Sequence, residues 1–209
     1  AFNTFQKLMP IGKFIAGRLN SQLTMKGKLG ENMMPDLTSL TGNGSLLLIK
    51  GFLSKFKPLE ELAQTINVKE LYQLSLKEVK NYIEFTNGRV MVKPFKFRVK
   101  EIEMEIGGFH GFNQSLDYTI NLKVPRSLMG EKGNTFINDL VSQVSNKGIP
   151  IKVGEMVPIQ VKLGGFINNP ILKADLKQTS ADLAEDLKTQ VIDFAKAKMD
   201  STKSAVTKE

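Results

Sequence analysis

From Val79 to Val124 apolar and polar residues alternate with a period of two, run after run. That period demands strands with one buried and one solvated face, and it is incompatible with helices. Val79, Ile83 and Phe85 alternate with Lys80, Tyr82 and Glu84. Asn87-Gly88 then supplies the two left-handed positions of a tight type I′ hairpin. Val90 and Val92 return. After Pro94, Phe95, Phe97 and Val99 alternate with Lys96, Arg98 and Lys100. Ile102, Met104 and Ile106 alternate with Glu101, Glu103 and Glu105, and Gly107–Gly111 reads as a turn. Leu116, Tyr118, Ile120, Leu122 and Val124 occupy every second position up to Pro125.

The flanks carry weaker versions of the same signal. Phe2, Phe5, Leu8, Ile11 and Ile15 have helical spacing interrupted by Pro10, which predicts one broken helix or two short ones over residues 2–18. Leu19, Leu23, Met25 and Leu29 mark a strand, the segment 30–44 reads as a loop, and a second strand follows at Ser45–Lys50. Pro58 opens a short helix with Leu59, Leu62, Ala63 and Ile66 on one face, and a further helical turn fits Val68–Leu71. Asn134–Lys147 has helical spacing, stopped by Gly148 and Pro150. Val157, Ile159, Val161 and Leu163 form another strand, broken by Gly164-Gly165 and Pro170. Leu172, Ala174 and Leu176 suggest a last one. A C-terminal amphipathic helix is predicted from an N-cap at Ser180 through Leu183, Leu187, Val191, Phe194 and Met199, with a polar tail from Ser201.

The fold class these runs imply is α+β, mainly β. It is a curved antiparallel sheet of about eight or more alternating strands, with a few covering helices at the ends and in insertions. The division expected is a sheet module with an N-terminal helix over 1–178, then the helix and tail over 179–209. Ala1 starts directly inside a patterned segment, which reads as an excised domain or a processed fragment.

A catalytic constellation is missing from the pattern. There is no Cys, so neither disulfides nor thiolate metal sites are available, and His110 is the single histidine. Glu101, Glu103 and Glu105 share a strand face, but facing Lys96, Arg98 and Lys100 they read as cross-strand charge pairs. No phosphate-cradling or nucleophile-elbow motif occurs. The expectation is no catalytic residue, no metal and no cofactor. The net charge of +8 suits anionic partners. With Arg scarce, no Trp and the Phe residues on apolar positions, nucleic acid is not expected among them. The apolar face itself can be a covered core or a concave surface for acyl chains, each buried CH₂ contributing about 0.8 kcal/mol.

The order of several segments carries a resemblance. Gly-Glu-Asn-Met-Met-Pro-Asp-Leu-Thr-Ser-Leu-Thr-Gly-Asn-Gly spans Gly30–Gly44, and Phe-Thr-Asn-Gly-Arg-Val-Met-Val-Lys-Pro-Phe spans Phe85–Phe95. Gly108-Phe-His-Gly-Phe, Leu116–Pro125 and Val161-Lys-Leu-Gly-Gly-Phe-Ile-Asn-Asn-Pro170 follow. From about Leu19 to Leu176 the set resembles the C-terminal region of AsmA-like bacterial envelope proteins of the Bacteroidetes type. That resemblance implies a periplasmic module of an inner-membrane-anchored protein whose anchor lies outside this chain. It also implies a role in outer-membrane biogenesis through a groove for phospholipid or other acyl lipid. Expected partners are that lipid, a membrane surface and envelope assembly proteins. The groove candidates on the apolar face are Leu23, Met25, Ile83, Phe85, Val90, Val92, Ile120, Leu122, Val161 and Leu163. The competing expectation is a protein-interaction module with a helix-capped closed core and no lipid.

Overall fold

A computed structural model describes residues 14–31, 33–65, 68–145 and 154–175, together with positions 12, 178, 181, 182, 185, 189 and 192. Among the described residues eight strands form one open, curved, antiparallel sheet in chain order. They are β1 (Ile15–Lys26), β2 (Thr41–Ser54), β3 (Gln73–Thr86), β4 (Arg89–Val99), β5 (Ile102–Gly111), β6 (Leu116–Pro125), β7 (Met156–Phe166) and β8 (Asn169–Ala174). Helix α1 (Lys57–Thr65) follows β2, and α2 (Gly130–Ser145) links β6 to β7. A 3₁₀ turn at Lys69–Tyr72 stands where a helical turn was expected near Val68–Leu71.

The buried face is the alternating one. A single row crosses the whole sheet through Leu23, Gly44, Ile83, Val92, Gly108, Tyr118, Leu163 and Leu172, each paired with the next. Opposite it run the charged side chains, and Lys96 pairs with Glu105 at 3.4 Å and Arg98 with Glu103, in register. Lys100 departs from the expected scheme: it sits in the β4–β5 turn and reaches Glu70 at 3.1 Å instead. The hairpin at Asn87-Gly88 has both residues at positive φ, 49° and 71°.

Several boundaries differ from the sequence-based expectation, and glycine explains most of them. Thr41–Gly44 belongs to β2 rather than to a loop, because Leu23 lies over Gly44, where an added Cβ would come within 2.4 Å of it. Gly107–Gly111 is not a turn but the second half of β5, and the actual turn falls at Phe112-Asn113. β7 runs through Gly164-Gly165, and Pro170 lies inside the edge strand β8, where an absent N–H is tolerated. Residues 15–18 are strand, not the end of a helix, and residues 1–11 lie outside the described set. α2 starts four residues before the expected Asn134. In the C-terminal stretch positions 178, 181, 182, 185, 189 and 192 are helical. Leu176, Ser180 and the expected apolar face from Leu183 to Met199 lie outside the described residues.

Helix α1 packs against β8, so the curl of the sheet brings its last strand back over the helix that leaves β2. Leu59, Leu62 and Ala63 are almost fully buried there, and Ile137 of α2 is fully buried. Most inward side chains of the strands are buried. No helix among the described residues is long and apolar enough to cross a membrane, which says nothing about strands.

Candidate functional site

The sheet is split between its third and fourth strands. β3 and β4 pair only through Ile83–Thr86 and Arg89–Val92. Below that, residues 73–82 stay with β2 and residues 95–99 with β5, so the two strands part like a wedge. Two local irregularities cause the split. Glu78 takes a left-handed φ of 53°, which shifts the inward positions from Leu74 and Leu76 to Val79, Asn81 and Ile83. On β4 the register slips between Val92 and Phe95, where Pro94 has no N–H to donate.

On the concave side the wedge opens an apolar cavity of about 250 Å³. Leu46, Leu48, Leu76, Val79, Phe95 and Phe97 supply most of its wall, with Gly12 and Leu19 at the β1 side, where Leu19 is 40% exposed. No charged residue lines it among the described residues. On the other side of the sheet lies a cleft of about 720 Å³, lined by Lys69, Lys77, Lys80, Lys96, Arg98 and Lys100 with Glu70 and Glu78. Val79 and Phe97 line both, so the apolar cavity and the basic cleft meet at the split. Glu70's own backbone N–H, and then the Lys100 ammonium, hold its carboxyl below the ordinary carboxylate range. Lys69, Lys77 and Lys80 make no ion pair among the described residues, and the Lys80 ammonium lies 5.4 Å from the Tyr82 ring centroid.

Two polar side chains are buried beside this site. Asn81, 7% exposed, lines the cavity and donates from Nδ2 to the Lys93 carbonyl at 2.8 Å, next to the irregularity at Pro94. Its Oδ1 has no hydrogen-bond partner among the described residues. An unsatisfied buried acceptor costs on the order of 1–3 kcal/mol. His110, expected in a turn, is instead buried on β5 with Nδ1 2.7 Å from the Tyr118 hydroxyl. Burial pushes the Tyr118 phenol well above its ordinary pKa.

All the groove candidates lie on the concave face, but the wedge gathers few of them. Ile83 and Val92 line the cavity. Phe85, Val90, Ile120, Leu122, Val161 and Leu163 are buried in the packed core, Leu23 is half-buried against it, and Met25 is exposed on the edge strand. The residues that matter most at the cavity, Leu46, Leu48, Asn81, Phe95 and Phe97, were not among the candidates. Their local alternation gave no sign of where two neighbouring strands would separate. Among the described residues no group of three His, Asp or Glu lies close enough to hold a metal ion. Comparison with family models, curated proteins and solved structures finds no match for this chain.

Proposed function

We propose that this chain is a non-enzymatic lipid-binding module of the bacterial envelope, AsmA-like and periplasmic, working in outer-membrane biogenesis as part of an inner-membrane-anchored protein. One observation carries the reading: an uncharged apolar cavity meets a lysine-rich cleft at a split in the sheet. An amphiphile matches that juxtaposition, with its acyl chain in the cavity and an anionic headgroup at Lys77 and Lys80. At roughly 30 Å³ for a water-sized group, the cavity holds about eight methylenes. Their burial contributes about 6 kcal/mol before the cost of immobilising the ligand. Only part of a longer chain is enclosed, so the remainder lies along the wedge. The ordered set of segments that resembles AsmA-like proteins supports the envelope assignment.

The test is native mass spectrometry and lipid extraction of the purified chain. Phospholipid or another acyl lipid should be recovered at a stoichiometry near one. Protein that is consistently empty, and stays empty after incubation with phospholipid vesicles, overturns the reading. A second reading, an assembly module that pairs with an extended segment of another envelope protein, is favoured by the outer edge of β1, unpaired among the described residues, where Leu19 and Met25 are exposed. Protection of β1 amides from hydrogen exchange by such a partner, without lipid, would select it.

A further inference from the structure

Every described residue from Thr24 to Pro35 is exposed, so the connection from β1 to β2 projects beyond the sheet. It is a narrow hairpin. Leu29 bridges Pro35, Gly30 N–H donates to the Met34 carbonyl at 2.8 Å, and Met33 N–H donates to the Gly30 carbonyl at 3.0 Å. Behind the tip, Asp36 N–H donates to the Lys28 carbonyl at 2.9 Å and Lys28 N–H to Ser39 Oγ at 2.8 Å. On this turn stand Leu29, Met33 and Met34, which are 59%, 74% and 58% exposed. They are the three most exposed large hydrophobic side chains among the described residues, and they line neither the apolar cavity nor the basic cleft.

We propose that this tip inserts into the interface of a lipid bilayer, a contact separate from the acyl-chain site. Backbone chemistry favours hydrocarbon over a protein strand. Strand addition needs free backbone groups, whereas the acyl region demands that they be satisfied within the chain, and the Gly30, Met33 and Asp36 N–H groups are bonded inside the hairpin. Shape points the same way. Fluid acyl chains close around a projecting finger from every side, while a protein would have to offer a matching pocket. Charge sets the kind of attraction: Lys26 and Lys28 behind the tip are balanced by Glu31 and Asp36, so the pull is on apolar surface. Glu31 is the one charged side chain between Leu29 and Pro35, and it keeps the contact at the boundary of headgroups and acyl chains.

The chain has no tryptophan, so Met33→Trp places a single reporter at the tip. The full chain is mixed with vesicles of phosphatidylglycerol and phosphatidylcholine whose acyl chains are brominated near the headgroup end, and bound protein is measured in parallel by sedimentation. The tip tryptophan should shift its emission to shorter wavelength and be quenched by the bromines. Phe52→Trp, at the far end of β2 where the native side chain is 46% exposed, should do neither. Met33→Ser with Met34→Ser should weaken sedimentation by at least about tenfold, through lost apolar burial. A tip tryptophan that stays unquenched on sedimented protein, equal quenching of both reporters, or a double serine variant that binds as well as the wild-type chain overturns the proposal. So does a chain that binds no vesicles at all. Lipid extraction of the double serine variant reads the cavity separately: lipid retained while sedimentation is lost shows two independent contacts, and an empty cavity with a quenched tip leaves the insertion standing alone.

Discussion

Tyr118 joins the packed core to the cavity wall, and its hydroxyl is committed to His110 Nδ1 rather than to solvent. Removing that hydroxyl leaves the ring's packing intact, so Tyr118→Phe isolates the hydrogen bond. The expected loss is about 1–2 kcal/mol of unfolding free energy, read from urea denaturation at neutral pH. The phenol also makes stability depend on pH with a definite sign. Its folded pKa is raised, so the folded state holds the proton where the unfolded chain releases it. The contribution is complete below about pH 10 and is lost as the pH rises beyond it. The stability gap between wild type and Tyr118→Phe should therefore narrow on the alkaline side. A gap that is constant from pH 8 to 11 would show that the phenol ionises as freely in the fold as outside it.

Among the strands, β5 shows how glycine serves a curved sheet. Gly108 has a φ of 151°, and an added Cβ would stand 2.2 Å from the Asp117 carbonyl oxygen of β6. Neither the conformation nor the space admits a side chain. Gly108→Ala should cost about 2 kcal/mol or more, seen as a lower denaturant midpoint. A substitution without effect would show that β5 and β6 can separate there without loss. The same chemistry explains what was legible in the sequence and what was not. Period-two alternation located the strands from β3 to β7, and Asn87-Gly88 fixed the β3–β4 hairpin, whereas the consecutive apolar residues 46–49 of β2 carry no such period. Gly44, Gly107 and Gly164 read as turn residues, because a glycine that makes room for Leu23 or Pro94 looks no different in one sequence from a glycine that turns the chain. The wedge was illegible for a related reason. It depends on Glu78 adopting a left-handed φ with no glycine or asparagine to announce it, and on strands 73–82 and 93–99 parting in space. Ile83 and Val92 could be picked out because they lie at the apex, where the alternation on both strands is still in register.

For the whole molecule, the position of charge relative to the split matters more than the net charge of +8. Several of the cleft's cations are already neutralised: Lys96, Arg98 and Lys100 each face a glutamate. Lys77 and Lys80 make no ion pair among the described residues, and they border the cleft that meets the cavity. Each basic residue near an anionic surface contributes about 1 kcal/mol, and the attraction fades within a Debye length of about 10 Å at 0.1 M salt. The chain should therefore sediment with vesicles containing phosphatidylglycerol but only weakly with vesicles of phosphatidylcholine alone, and the difference should vanish in 0.5 M salt. Reversing both charges, Lys77→Glu with Lys80→Glu, should weaken binding to the anionic vesicles by at least about tenfold. A matched reversal at Lys26 and Lys28, near the far end of β1, should have a much smaller effect. Equal losses from the two double variants would mean that the membrane meets the protein's overall charge, and the split sheet would then have no special role in approaching it.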